Sequence, residues 1–269
     1  MEELQGNEFL ETCCKYIMNL FYIETNLKPI NVSIEFVDDL YQRRLELATS
    51  KEDFKNVIHS KSIISEFNGT MVLPYKKSEI PYILIAKNAV SDDFAFTGTL
   101  IHELTHIHDY YDFVEENSID LYEDVEKHNL FSSFYQWSEY HAKRNGYNYY
   151  RKFCYSFLYS EPEIKEQITY IRDTECPFQL NYFIESLRKN ENNSTLFLYS
   201  IMQFLGRFSV WEDLFPDSFN VNRLPQIIID TFGDRIIDLY KFLKQHSSFT
   251  DIKEQLGILD RLLIRFILI

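Results

Sequence analysis

Positive charge is what this chain lacks most. Its 27 Lys and Arg stand against 41 Asp and Glu, a formal net charge of −14 at pH 7. That balance argues against a nucleic-acid partner, because neutralising phosphates takes a basic surface. No run of eighteen apolar residues occurs, so neither a membrane-spanning helix nor a membrane partner is expected. Cysteine is sparse as well. Cys13 and Cys14 are adjacent, Cys154 and Cys176 lie far apart, and no pair has C-x-x-C spacing. Neither a thiolate zinc site nor a disulfide framework is therefore expected, and the four read as reduced core residues. Met1-Glu2-Glu3-Leu4 carries acid where a secretory leader would carry Lys or Arg, which makes the cytoplasm the expected compartment. There is no fixed-period repeat and no low-complexity tract. Core material, by contrast, is plentiful: 45% of the 269 residues are hydrophobic, enough for one large domain or two ordinary ones.

Taken in order, residues 7–23 place Phe9, Leu10, Cys13, Ile17, Leu20 and Phe21 on a helical stripe that ends before Pro29. Asn31 to Val37 alternates Val32, Ile34 and Phe36 with polar neighbours, as a half-buried strand does. Ser50 to His59 reads as a short helix capped by Ser50, with Asp53 in its first turn. Asn68-Gly69 between Ile63–Phe67 and Met71–Leu73 is a hairpin cue, and Pro81 to Lys87 is a compact apolar strand. Ser91-Asp92-Asp93 offers a cap to a helix reaching about Phe113, with a buried stripe of Phe96 or Thr97, Leu100, Leu104, Ile107 and Tyr111. An acidic stretch, 114–127, precedes a second helix over Asn129–Tyr150, in which Gly146 marks a kink or an end. Amphipathic helices follow over Gln167–Lys189, Ser194–Trp211, Pro225–Gln245 and Asp251–Ile269. The apolar close, Leu262 to Ile269, suits core packing or a partner surface. The expected fold class is α+β and predominantly helical, with a small mixed or antiparallel sheet packed on the helix of residues 96–113. The expected division is 1–150 and a helical region 151–269.

Chemistry concentrates at His102-Glu103-Leu104-Thr105-His106, an H-E-x-x-H pattern. Residues four apart on a helix lie one above the other, so His102 and His106 can aim two imidazoles at one ion. Zinc favours such nitrogens and, at catalytic sites, keeps three protein ligands and an open position for water. Glu103 would be the general base acting on that water. These residues fall off the apolar stripe, where a core histidine would be expected to sit.

The pattern supplies two ligands, and Asp109, Asp112, Glu123, His128, Glu139 and His141 are candidates for the third. Asp109 would crowd the histidines from the same helix. Asp112 stands where the extended pattern H-E-x-x-H-x-x-G-x-x-H puts its last ligand, but that pattern needs glycine at position 109 to turn the chain back. Glu139 is better placed, 33 residues beyond His106 on the second helix. His141 is its rival. Two residues apart on a helix, the two point in roughly opposite directions, so only one can serve.

With those residues in view, the layout resembles the ImmA/IrrE-type zinc metallopeptidases, within the broader gluzincin class. The matching parts are an N-terminal helix, a small sheet with an edge strand at Pro81–Lys87, the His102-Glu103-His106 motif, and Glu139-Tyr140-His141-Ala142 as E-x-x-A. The likeness covers roughly residues 1–150. It implies Zn2+ held by His102, His106 and Glu139, hydrolysis of a peptide bond in a protein or peptide substrate, and Glu103 as the catalytic residue. Relatives of that type cleave regulatory proteins such as repressors of mobile elements. An oxyanion donor would come from His108, Tyr110, Tyr111, Tyr140 or His141. The alternative is a regulatory or protein-binding module on the same scaffold without turnover, with a partner protein docking on the helical C-terminal half.

Overall fold

The structure is a computed structural model that describes residues 2–65, 67–76, 78–90, 94–190, 193–224 and 226–267. It is mostly helical with one small sheet, as the residue patterns predict. In chain order the elements are α1 (Glu2–Thr25), β1 (Ser33–Val37), α2 (Leu40–Glu46), α3 (Lys51–His59), α4 (Lys61–Ile64), β2 (Gly69–Val72), β3 (Tyr82–Ala86) and α5 (Phe96–Glu116). There follow α6 (Phe131–Phe153), α7 (Glu161–Tyr170), α8 (Cys176–Lys189), α9 (Ser194–Leu214), α10 (Gln226–Phe232), α11 (Asp234–Gln245), α12 (Phe249–Ile252) and α13 (Leu256–Ile267). No helix among the described residues is long and apolar enough to cross a membrane.

Two compact units emerge: Met1–Val125 with Asn145–Leu158, and Glu126–Arg144 with Tyr159–Ile269. The first ends eight residues beyond the expected boundary at 150, and 126–144 falls with the helical residues. The reason lies in α6. Its first half is lined by α9, where a Cβ on Gly206 would stand 2.7 Å from the Tyr140 carbonyl oxygen and 2.9 Å from Lys143 Cβ.

In the first unit the sheet order is β1-β3-β2, with β1 parallel and β2 antiparallel to β3. The strand expected at the sheet edge is thus the central one. Ile83, Leu84 and Ile85 are all fully buried, which suits a strand covered on both faces; β2 takes the edge instead. The Asn68-Gly69 hairpin does not form, because 61–64 is helical and β2 pairs with β3. Gly69 is a strand residue chosen for close approach: a Cβ there would collide with the Thr99 side chain of α5 and the Leu84 backbone oxygen. Ser50 caps α3 as expected, its hydroxyl accepting from Asp53 N. The cap assigned to Ser91-Asp92-Asp93 lies outside the described residues.

Helix α5 carries its expected stripe, with Phe96, Leu100, Leu104 and Ile107 fully buried against Cys13, Cys14, Ile17 and Phe21 of α1 and Ile83 and Ile85 of β3. Each such aliphatic side chain contributes about 1.5–3 kcal/mol. The opposite face is not solvated either: Glu103, Thr105, His106, His108 and Asp109 are all buried. Helix α6 does not end at Gly146 but runs on to Phe153. A Cβ on Gly146 would overlap the Gly98 carbonyl oxygen and stand 3.0 Å from His102 Cβ, so this glycine lets two helix backbones touch.

In the second unit α9 is apolar nearly all round, with Ile201, Met202, Phe204, Leu205, Phe208 and Trp211 buried. Phe204 stacks on Phe183 of α8 at 4.2 Å, and Phe208 meets Tyr240 of α11 edge-on at 5.5 Å. The helix expected over 225–245 is two, broken at Gly233, whose φ of +60° belongs to the left-handed region glycine favours. Of the closing apolar stretch, Leu263 and Phe266 pack inward while Ile264 and Ile267 are exposed.

Gly146→Ala should lower the unfolding free energy by about 1–3 kcal/mol, the usual cost of forcing an extra carbon into filled space. Gly257→Ala, where nothing lies within 4 Å of the added carbon, should leave stability unchanged or slightly improved, since alanine suits a helix better. Denaturant titrations of the two variants beside the parent measure the contrast.

Candidate metal centre

Four residues of α5 separate two imidazoles and bring them together. The ring centroids of His102 and His106 are 4.7 Å apart, and their Nε2 atoms face each other at 3.1 Å. Two nitrogens each about 2.0–2.1 Å from a tetrahedral zinc would be separated by roughly 3.3 Å, so the pair is spaced as ligands of one ion. Glu139 joins them: one ligand atom from each of His102, His106 and Glu139 lies within 4.8 Å of the other two. His106 and Glu139 are buried, at 5% and 6% exposure. A carboxylate so enclosed needs a cation or donors to remain charged, and two imidazole nitrogens with one carboxylate oxygen are a donor set that first-row divalent ions accept.

Helical geometry explains why Glu139 and not His141 joins the group. At 100° per residue, Glu139 stands about 20° from Gly146 around the α6 axis, and His141 about 140° away. Gly146 is the residue that touches His102, so the face it defines carries Glu139 with it. His141 instead stacks on Trp137 at 4.9 Å, and Trp137 donates to the His246 carbonyl oxygen. A second tie between the helices is the 3.4 Å bond from Asn145 Nδ2 to Thr105 Oγ1.

Glu103 is 8% exposed, and its Oε2 accepts from Met71 N at 2.8 Å. The source of that donor is the sheet. Ala86 N donates to Asn68 O, so the bonded pairs of β2 and β3 fall at even β2 residues and the Met71 N–H points away from β3. Gly69 packed on Thr99 and Met71 bonded to Glu103 are two residues apart on β2 and four apart on α5, matching a strand laid along a helix.

Other candidates take different places. Asp109 is buried and His108 packs against Phe21 and Tyr22, while Asp112 and His128 are half-buried; none belongs to the His102–His106–Glu139 group. The Glu123 side chain lies outside the described residues. Tyr140 is fully buried, and that burial raises its hydroxyl above the usual tyrosine range against the pull of the nearby Arg144 charge.

The residue patterns gave no sign of Gln203, whose Nε2 donates to Glu139 Oε2 at 2.8 Å, nor of Met71 as a partner of Glu103. The available signal was glycine. An isolated glycine inside a helical pattern usually has a packing reason, and Gly98, Gly146 and Gly206 are three such. Comparison with protein-family models, curated proteins and solved structures found no match.

One turn after Glu139 sits Lys143, whose ammonium is pushed down to about 7 by burial and by the nearby Arg207, against the pull of Glu139. In the unfolded chain a lysine stays protonated to about pH 10.4. Between those values the unfolded chain binds the extra proton, so stability should rise with pH from about 7 to about 10. Chemical denaturation of the chelator-treated protein at several pH values should show that rise. It should be smaller in Lys143→Met.

A second expectation concerns the ligands. By metal analysis after dialysis, His102→Ala and Glu139→Ala should lose bound zinc, whereas His141→Ala and Glu103→Gln should keep it. Retention by Glu139→Ala together with loss by His141→Ala would reverse the assignment.

Proposed function

We propose that this chain is a zinc-dependent metallopeptidase of the gluzincin type, hydrolysing a peptide bond in a protein or peptide substrate. The observation that carries the reading is the convergence of His102, His106 and Glu139, with Glu103 next to His102 on the same helix. Two imidazoles and a glutamate are the ligand set of thermolysin-like zinc sites. The similarity to ImmA/IrrE-type enzymes is part of the same proposal, supported by a helix, a small sheet, the motif helix and a helix bearing the glutamate, in that order. On that similarity the substrate would be a regulatory protein. A cytoplasmic setting belongs to the reading too, and four buried cysteines that form no disulfide agree with it.

When bound, zinc supplies a Lewis acid that acidifies water and polarises a carbonyl. His102 and His106 would hold it through ring nitrogens, and Glu139 would offset part of its charge. Glu103 takes the proton from the attacking water as the new C–O bond forms, then gives it to the leaving amine as the C–N bond breaks. The Met71 N–H, fixed in the sheet, holds the Glu103 carboxylate in one orientation while its proton load changes.

A protein-binding module without turnover is the second reading, favoured by the size of the second unit, which hydrolysis does not require. Mass spectrometry of a proteome-derived peptide pool incubated with zinc-loaded protein separates the two. The peptidase reading expects new termini, and a fall of about 10²–10⁴-fold in their rate of appearance with Glu103→Gln. Equal product from both forms would overturn it.

A further inference from the structure

Glu139 has a neutral partner on α9. Its Oε2 receives a 2.8 Å hydrogen bond from Gln203 on α9, and since a carboxylate only accepts, the amide nitrogen must be the end that faces it. Gln203 is itself held in place. Gly206, one turn further along α9, has no Cβ, and one placed there would stand 2.7 Å from Tyr140 O and 2.9 Å from Lys143 Cβ. The α9 backbone therefore lies directly on α6 beside Glu139. One turn beyond Gln203 along α9, Arg207 pairs with Glu175 at 3.7 Å.

We propose that Gln203 is a positioning residue of the metal centre. By occupying Oε2 it presents Glu139 as a one-oxygen ligand. The inference rests on the metal reading above. Groups behind a metal's ligands fix their orientation, and their removal commonly weakens binding about 10–100-fold.

The test is chelator competition for zinc with the full-length chain, in the parent, Gln203→Ala and Gln203→Glu, with the denaturation midpoint of each metal-free protein measured alongside. Gln203→Ala should bind zinc about 10–100-fold more weakly. Gln203→Glu has the same shape but sets an acceptor against an acceptor, and should lose at least as much. The Co2+-loaded Gln203→Ala protein should also show weaker visible bands, because a glutamate freed to use both oxygens raises the coordination number; a purely structural role would leave the spectrum unchanged. Should Gln203→Ala fail to fold, the near-isosteric Gln203→Glu carries the test. A parent that binds zinc with variants within about twofold of it and an unchanged Co2+ spectrum overturns this inference alone. A parent that takes up no metal overturns the metal reading and this inference with it.

Discussion

Where α5 meets α6, Gly98 and Gly146 let two helix backbones come into contact with no side chain between them. Much else in the molecule follows from that contact. It puts His102 beside the α6 backbone, and it fixes which face of α6 is turned inward two turns earlier, at Glu139. A side chain at Gly146 would overlap the Gly98 carbonyl oxygen and push the helices apart, and a metal site tolerates little such movement, since ligand distances are set to within about 0.2 Å. The places of His102, His106 and Glu139 are therefore specified by packing first and by chemistry second.

The same device recurs around the centre. Gly69 brings β2 onto α5 so that the Met71 N–H meets Glu103, and Gly206 brings α9 onto α6 so that Gln203 meets Glu139. Gly69, Gly98, Gly146 and Gly206 make four of the chain's seven glycines. A chain otherwise so poor in glycine spends most of it where backbones must approach the functional residues. These contacts also explain why α5 is buried almost all round. Its apolar stripe faces the α1 and β3 core, and its polar face is enclosed by elements that each supply a ligand or a hydrogen-bond partner.

How much of this could be read from residues alone depended on the range of the interaction. His102, Glu103 and His106 were legible because a four-residue spacing is a local property of a helix. The strands at Ser33–Val37 and Tyr82–Ala86 were legible from β-branched and aromatic runs, but their order in the sheet was not. An apolar run looks the same at the centre as at an edge next to a helix, so its residues do not tell the central strand from an edge one. Asn68-Gly69 misled for a related reason: glycine serves tight turns and close packing alike, and only the neighbouring Thr99 distinguishes them. Glu139 was legible as a helical carboxylate, while its preference over His141 depended on the rotation of α6, which a glycine seven residues away determines. Gln203 was out of reach, because nothing in an amphipathic pattern says which polar residue will meet a carboxylate 64 residues earlier.

The central claim is that two imidazoles of one helix and a carboxylate of the next hold a zinc ion. Zinc-edge X-ray absorption on the purified, zinc-loaded protein tests it most directly. The account predicts a shell of nitrogen and oxygen alone at about 2.0–2.1 Å, with the outer-shell scattering of two histidine rings. Absence of bound zinc, or a sulfur shell at about 2.3 Å from cysteine, would contradict it.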